Sequence, residues 1–230
     1  MKLIPFALCF LVACATESHI RRTQEEGDHL RVELAETYVK KGAYDAAIPL
    51  LTRAAAQFPR NAYVRTLFGT VLREKGLFPQ AERELKAALD VDARSASAWA
   101  ELGILYDLER RGDAAARSHR QAIMLMPANA AYWNNLGFSQ FIAGQNDSAI
   151  ASLEKSLALD PGLVVAYNNL GFAYGKARRL VDAERTFRTA GGEVFALINM
   201  ALVAERRGDG ETASRLRAQA KSKDPKVEVP

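Results

Sequence analysis

The sequence predicts an all-α protein of about six helical hairpins, each packed against the next. Three observations predict this fold class. A short sequence recurs at a fixed interval, small residues return at fixed places within the interval, and proline or glycine stands near its ends. Alanine is also abundant, which suits closely packed helices because alanine loses no side-chain entropy in a helix.

The recurrence is clearest in the middle of the chain. Trp99-Ala-Glu-Leu-Gly103 returns as Trp133-Asn-Asn-Leu-Gly137, and after the same interval again as Tyr167-Asn-Asn-Leu-Gly171. Pro127 and Pro161 keep this interval too. The pattern resembles the tetratricopeptide repeat of about 34 residues, in which a large residue, Leu-Gly, an aromatic residue, two alanines and a closing proline recur. The resemblance implies a right-handed superhelical solenoid in which each hairpin contacts only its neighbours.

Aligned on this interval, residues 28–227 divide into six units, and residues 228–230 remain as a tail. The units are 28–61, 62–95, 96–129, 130–163, 164–193 and 194–227. Two of them depart from the pattern. In the third unit the turn glycine is Gly112, two positions late, which predicts a longer first helix and a shorter second helix. In the fifth unit Ala190-Gly191-Gly192 predicts an early end of the second helix and makes the unit shorter than the others.

Glycines at two places in the unit have a physical reason. Those in the middle of the first helix lack a Cβ atom and are expected to let the second helix approach closely. They are Gly69, Gly103, Gly137 and Gly171. Those after the first helix predict the turn, where a positive φ is easiest for glycine. They are Gly42, Gly76, Gly144 and Gly208.

The first residues predict a bacterial lipoprotein. Residues 3–13 form an almost unbroken apolar run after Met1-Lys2. Such a run is too short to span a bilayer as a helix, but it has the length of a secretion signal. The run ends in Leu11-Val12-Ala13-Cys14, which resembles the bacterial lipobox. The resemblance implies that residues 1–13 are a cleaved signal peptide and that Cys14 carries lipid; the alternative is an ordinary signal with a chance cysteine.

The residues that follow the cysteine refine this expectation. Ala15 stands where an inner-membrane retention signal would place aspartate, so the resemblance favours the outer membrane, with the folded part facing the periplasm. Residues 14–27 include the lipidated cysteine and are otherwise polar, without apolar periodicity. We interpret them as a tether between the membrane and the repeats.

Composition and residue placement argue against several classes of function. The net charge is only +4 and no run of Lys or Arg is longer than two, so a nucleic-acid surface is not supported. The two cysteines, Cys9 and Cys14, leave the repeats without a thiol for a metal site. The three histidines, His19, His29 and His119, are scattered along the chain. We therefore expect no enzyme activity, no cofactor, no metal and no small-molecule substrate.

The resemblance also implies where a partner binds. In tetratricopeptide repeats the first helices line a concave groove, and in units four to six the groove positions combine amides with apolar side chains. The predicted partner-binding residues are Asn134, Asn135, Phe138, Phe141, Asn168, Asn169, Phe172, Asn199 and Leu202.

The amides and the phenylalanines of this groove each have an alternative interpretation. Asn135, Asn169 and Asn199 share one repeat position, and a row of amides can pair with the backbone of an extended peptide. The alternative is that these residues follow the family consensus, in which asparagine is also common at that position. For the cluster of Phe138, Phe141 and Phe172, the alternative is that a neighbouring helix covers the rings.

Together these features predict a non-catalytic scaffold for protein–protein interaction at the periplasmic face of the outer membrane. The stretch from Asn134 to Ala201 resembles the repeat lipoproteins of tight-adherence (Flp-type) pilus assembly, and repeat proteins that pilot type IV secretins are related in role. The implied partners are a secretin and other pilus- or secretion-assembly proteins. Two alternatives stay open: a general scaffold for peptidoglycan or outer-membrane biogenesis proteins, and an accessory subunit of exopolysaccharide export.

Overall fold

The computed structural model describes residues 29–228, and every regular element in that part of the chain is an α-helix. The helices are α1 (29–40), α2 (Tyr44–Gln57), α3 (Ala62–Glu74), α4 (Phe78–Val91), α5 (Ala96–Leu108), α6 (Gly112–Leu125), α7 (Ala130–Ile142), α8 (Asn146–Leu159), α9 (Val164–Lys176), α10 (Leu180–Arg206) and α11 (Gly210–Lys223). The predicted all-α fold of helical hairpins is confirmed. The predicted signal peptide, Cys14 and tether lie outside the described residues.

The helix α10 belongs to two hairpins. Gly191 (φ −155°, ψ 19°) and Gly192 (φ 79°, ψ −167°) have non-helical backbone angles and divide it. Its first part pairs with α9, and its second part pairs with α11. The described residues therefore hold six hairpins, of which the first four are α1/α2, α3/α4, α5/α6 and α7/α8.

The chain divides between Ala93 and Arg94 into two compact units. The first contains α1–α4, and its core includes Ala35, Leu51 and Val71. The second contains α5–α11, and the largest side chain buried in it is Phe187. All of the predicted partner-binding residues lie in the second unit.

Short polar side chains cap the N-termini of the first helices of three hairpins. Asn61, Ser95 and Asn129 precede α3, α5 and α7, and the side-chain oxygen of each accepts a hydrogen bond from a backbone N–H in the first turn, at 3.1, 3.4 and 3.0 Å. Each such cap stabilises its helix by about 1 kcal/mol. The regular spacing of these caps along the chain therefore sets where each new hairpin starts.

The turn inside the third hairpin differs from the prediction. Helix α5 has 13 residues and α6 has 14, as in the neighbouring hairpin α7/α8. The prediction of a longer first helix and a shorter second helix is therefore wrong. Gly112 is simply the first residue of α6. Arg110 takes the turn position with φ 59°, and Arg178 does so in the fifth hairpin with φ 62°. Glycines hold this position in the other four hairpins, with φ between 69° and 80°.

Arginine is tolerated at this turn because the surrounding hydrogen bonds define its shape. The N–H of Arg111 donates to the carbonyl of Tyr106 at 2.8 Å, and the N–H of Arg179 donates to that of Tyr174 at 2.9 Å. This bond closes a Schellman motif, whose outer residue usually contacts the helix residue that it bonds. Both arginines do so, since their guanidinium carbons lie 4.1 and 4.4 Å from the centres of those tyrosine rings.

The glycines of the first helices allow the close approach that the sequence predicts. A Cβ atom added to Gly69 would lie 2.6 Å from Cγ of Leu85, and one added to Gly137 would lie 2.6 Å from Cγ of Leu153. A Cβ on Gly103 would lie 2.5 Å from the ring of His119. The residue that fills the space above each glycine therefore comes from the second helix of the same hairpin.

One helix of the described residues, α10, is long and apolar enough to cross a membrane by length and composition alone. The Gly191–Gly192 break divides it, however, and Phe187, Ala196 and Val203 are buried in the core of the second unit. Its apolar character is therefore explained by packing against its neighbours.

Candidate partner-binding site

The structure places the predicted groove residues on three helices. Four lie on α7, namely Asn134, Asn135, Phe138 and Phe141. Three lie on α9, namely Asn168, Asn169 and Phe172. The remaining two, Asn199 and Leu202, lie on the second part of α10. Helix α7 contacts both α5 and α9. We call the surface formed by the exposed side chains of α5, α7 and α9 the α5–α9 face.

The asparagines of α7 and α9 form a chain of amides. Asn169 Nδ2 donates to Asn134 Oδ1 at 2.9 Å, and Asn134 Nδ2 donates to Asn135 Oδ1 at 3.4 Å. The Asn135 amide nitrogen has no acceptor among the described residues. The side-chain oxygen of Asn168 is buried and has no donor there. The two helices thus share one amide network, in which Asn135 still has a donor to offer.

Asn199 does not join this network. Its Nδ2 donates to the carbonyl oxygen of Phe195, one turn earlier on the same helix, at 3.0 Å. Of the three asparagines that share the repeat position, Asn135 and Asn169 are therefore linked through Asn134. The third, Asn199, bonds to the backbone of its own helix.

The three phenylalanines have different surroundings. Phe138 is 41% exposed. Phe141 is partly buried, and Lys176 lies with Nζ 4.9 Å from the centre of its ring. Phe172 packs edge-to-face on Phe187 at 5.0 Å, and the guanidinium of Arg206 lies 5.0 Å from its ring centre. Phe138 is therefore the member of this cluster that offers an open ring.

A cleft of about 710 Å³ opens beside Phe138, between α5 and α7. Its lining residues are Ile104, Asp107, Leu108, Arg110, Gly112, Asn135, Phe138, Ser139, Ile142 and Ala143. Leu108 and Ile142 are each 52% exposed, and with Phe138 they form an exposed apolar patch beside the cleft. We call this feature the α5/α7 cleft. The predicted partner-binding residues lie in units four to six, whereas the lining of this cleft also includes residues of unit three.

A polar network lies at the floor of the α5/α7 cleft. The Ser139 hydroxyl donates to Asp107 Oδ1 at 2.7 Å, and His119 Nε2 lies 2.9 Å from Asp107 Oδ2. The His119 side chain is 1% exposed, whereas that of Asp107 is 11% exposed and reaches the cleft. Two helices of one hairpin are thereby joined to the first helix of the next.

The sequence prediction does not include the hydrogen bond between His119 and Asp107, although the repeat pattern contains a signal for it. One repeat position on the second helix covers the first-helix glycine of its hairpin, and it holds Leu85, His119, Leu153 or Phe187. A histidine in a column of large apolar residues indicates a buried polar contact, because a buried imidazole needs hydrogen-bond partners.

Tyr174 shows the strongest pKa shift near this site. Its hydroxyl donates to Glu154 Oε1 on α8 at 2.5 Å. Burial, and then this hydrogen bond to a carboxylate, raise the pKa of Tyr174 to about 12. The tyrosine is therefore neutral at physiological pH and serves to tie α9 to α8.

Within residues 29–228 no group of three or more His, Asp or Glu side chains is arranged to hold a metal ion. The network of Ser139, Asp107 and His119 does not match a catalytic triad either, because the serine hydroxyl donates to the aspartate and not to the histidine. The arrangement is suited to binding, since it combines exposed apolar side chains with the unpaired amide donor of Asn135.

Comparison with known proteins identifies the repeats. Residues 38–103 match a family model described as tetratricopeptide repeat, and residues 140–177 match a second one described as TPR repeat. The chain therefore contains tetratricopeptide repeats. No curated protein matches its sequence.

Solved structures of other tetratricopeptide-repeat (TPR) proteins share this fold. PilF from Pseudomonas aeruginosa is 21% identical, with a TM-score of 0.70 over 89% of this chain and 95% of PilF. PilW, described as a type IV pilus biogenesis factor, is 21% identical, with a TM-score of 0.75 over 87% of this chain and 95% of PilW. YrrB, described as a TPR protein with an unusual peptide-binding site, is 18% identical, with a TM-score of 0.59 over 76% of this chain and 93% of YrrB. At these identities the likeness shows the fold.

Proposed function

We propose that this TPR protein is a non-catalytic scaffold that binds a segment of a partner protein on its α5–α9 face. In this proposal Cys14 carries the lipid that holds the protein at the periplasmic face of the outer membrane. There it assists the assembly of a pilus or of a secretion complex built around a secretin.

The observation that carries the proposal is the exposed apolar surface around the α5/α7 cleft. Leu108, Phe138 and Ile142 are exposed by 52, 41 and 52%. Apolar side chains grouped beside polar ones are typical of surfaces that bind other proteins. The unpaired amide nitrogen of Asn135 lies beside the same cleft and can donate to the backbone of an extended segment.

The pilus part of the proposal is supported by two likenesses. The C-terminal half resembles the repeat lipoproteins of pilus assembly in sequence, and PilF and PilW share the fold over most of the chain. The membrane part is supported by the lipobox-like Leu11-Val12-Ala13-Cys14.

Affinity capture from detergent-solubilised envelope tests the binding surface. The bait is the tagged full chain, compared with Phe138→Ala and with Val181→Ala as a matched control, since Val181 is an apolar residue that is 81% exposed on α10. We expect a secretin or pilus-assembly protein that Phe138→Ala loses by at least about tenfold, as for a central interface residue, and that Val181→Ala retains.

Two results would contradict the proposal. Peptidoglycan or outer-membrane biogenesis proteins retained by all three baits would replace the pilus function with a general envelope scaffold and move binding to another surface. Capture of exopolysaccharide-export proteins, together with normal pili in a deletion strain, would favour the export alternative.

A further inference from the structure

The α5/α7 cleft has a single carboxylate at its floor. Asp107 lines the cleft, and its two oxygens accept hydrogen bonds from Ser139 and His119. Among the described residues, His119 is its only ion-pair partner. Arg110 lines the same cleft but forms no ion pair with Asp107.

The two donors leave part of this carboxylate open to the cleft. The serine hydroxyl donates a single hydrogen bond to Oδ1, and His119 contacts Oδ2 from a buried position. Asp107 is the only carboxylate among the residues that line the cleft, so it is the group there that attracts a cation.

The walls of the cleft are apolar. Ile104 and Leu108 come from α5, and Phe138 and Ile142 come from α7. Each oxygen of a carboxylate can accept two hydrogen bonds, so both Asp107 oxygens keep an acceptor site. A ligand that fits has an apolar stem to lie along the walls and a cationic end to reach Asp107. Arginine and lysine side chains have this shape, and the open ring of Phe138 also favours a cation near its face.

We propose that the α5/α7 cleft takes a basic side chain, arginine or lysine, of the partner segment. This inference rests on the proposed function, because it names the chemistry that the partner presents at one point of the α5–α9 face. An acidic partner residue is disfavoured there because it would meet Asp107, and a purely apolar residue would desolvate that carboxylate without adding a hydrogen bond to it.

The test uses two small probes of the same shape on the purified full chain, followed by amide NMR. N-acetyl-arginine N-methylamide carries one positive charge, and N-acetyl-citrulline N-methylamide is its neutral counterpart. We expect the arginine probe to shift amides of residues 104–108 and 135–143, and to bind about tenfold more tightly than the citrulline probe at low salt.

Variants locate the charge that is responsible. Asp107→Asn removes one negative charge and is expected to reduce the affinity for the arginine probe to that for citrulline. Glu211→Gln, on the exposed first turn of α11, makes the same change in net charge and is expected to have no effect. If Asp107→Asn does not fold, the comparison of the two probes on the unchanged protein decides the question.

Equal affinity for both probes, or unchanged arginine binding by Asp107→Asn, would overturn the inference. The proposed function would survive that result if the Phe138-dependent capture succeeds. Conversely, selective arginine binding without any captured partner would contradict the proposed function and leave the basic-residue site standing.

Discussion

Replacing Gly137 by alanine tests the packing that holds each hairpin together. The new Cβ atom would lie 2.6 Å from Cγ of Leu153 and 3.2 Å from the carbonyl oxygen of Ala149. Carbon atoms in contact are normally about 3.5–4.0 Å apart, so Leu153 has to move by about 1 Å. It has little room to do so, because its side chain is completely buried.

The expected size of the effect follows from two opposing terms. Overpacking a core costs about 1–3 kcal/mol, and a contact this short belongs to the upper part of that range. Alanine in place of glycine stabilises a helix interior by about 1 kcal/mol. We therefore expect Gly137→Ala to lower the free energy of unfolding by about 1–2 kcal/mol. Gly112→Ala is the matched control, since no atom lies within 4 Å of its added Cβ, and it should be neutral or slightly stabilising.

Urea unfolding followed by far-ultraviolet circular dichroism measures these differences. A double-mutant cycle adds the decisive comparison. Leu153→Ala alone should cost about 2–5 kcal/mol, but in its background Gly137→Ala should become stabilising because the two closest obstructing atoms, those of Leu153, are gone. Equal stability of Gly137→Ala and the wild type, or the same loss in the Leu153→Ala background, would refute the close-approach argument.

Three further predictions concern the turns, a buried tyrosine and the anchor. Arg110→Gly should raise the free energy of unfolding by about 0.5–1 kcal/mol, because its φ of 59° is strained for a side chain; a lower thermal midpoint would contradict this. Tyr174, with a pKa near 12 against an ordinary 10.0, stabilises the fold fully below pH 10 and loses that contribution as the pH rises through 12. Absorbance titration of Tyr174→Phe should therefore show one tyrosine fewer ionising near pH 12, and a lost tyrosine near pH 10 would refute the shift. Cys14→Ser should remove the protein from the outer-membrane fraction, and unchanged fractionation would exclude the lipid anchor.

The fold was largely predictable because one interval governs most of the chain. The caps at Asn61, Ser95 and Asn129 are evenly spaced, and each starts the first helix of a successive hairpin in the same way. The turn in the third hairpin was not predictable from glycine alone, because Arg110 holds the turn position and Gly112 is the first residue of α6. The hydrogen bond from Arg111 to Tyr106 imposes the left-handed conformation on Arg110, whose exposed side chain meets no obstacle.

The site was less predictable because it depends on side-chain orientation. The repeat position of Asn199 matches that of Asn169, but one amide turns to its own helix and the other reaches α7. The sequence also could not show that Asp107, His119 and Ser139, from three helices, share one network. Such contacts depend on the rotamers that packing selects, and the repeat pattern does not specify these.

Site-specific photo-crosslinking in the cell reports whether the α5–α9 face contacts a partner protein. A photoreactive phenylalanine analogue is placed at Phe138, at Ile142 or, as a control on another surface, at Val181. We expect positions 138 and 142 to crosslink to one pilus- or secretion-assembly protein, and position 181 to give no crosslink to it. Crosslinks to that protein from position 181 alone, or no crosslink from 138 and 142 while the protein is still captured, would contradict binding at the α5–α9 face.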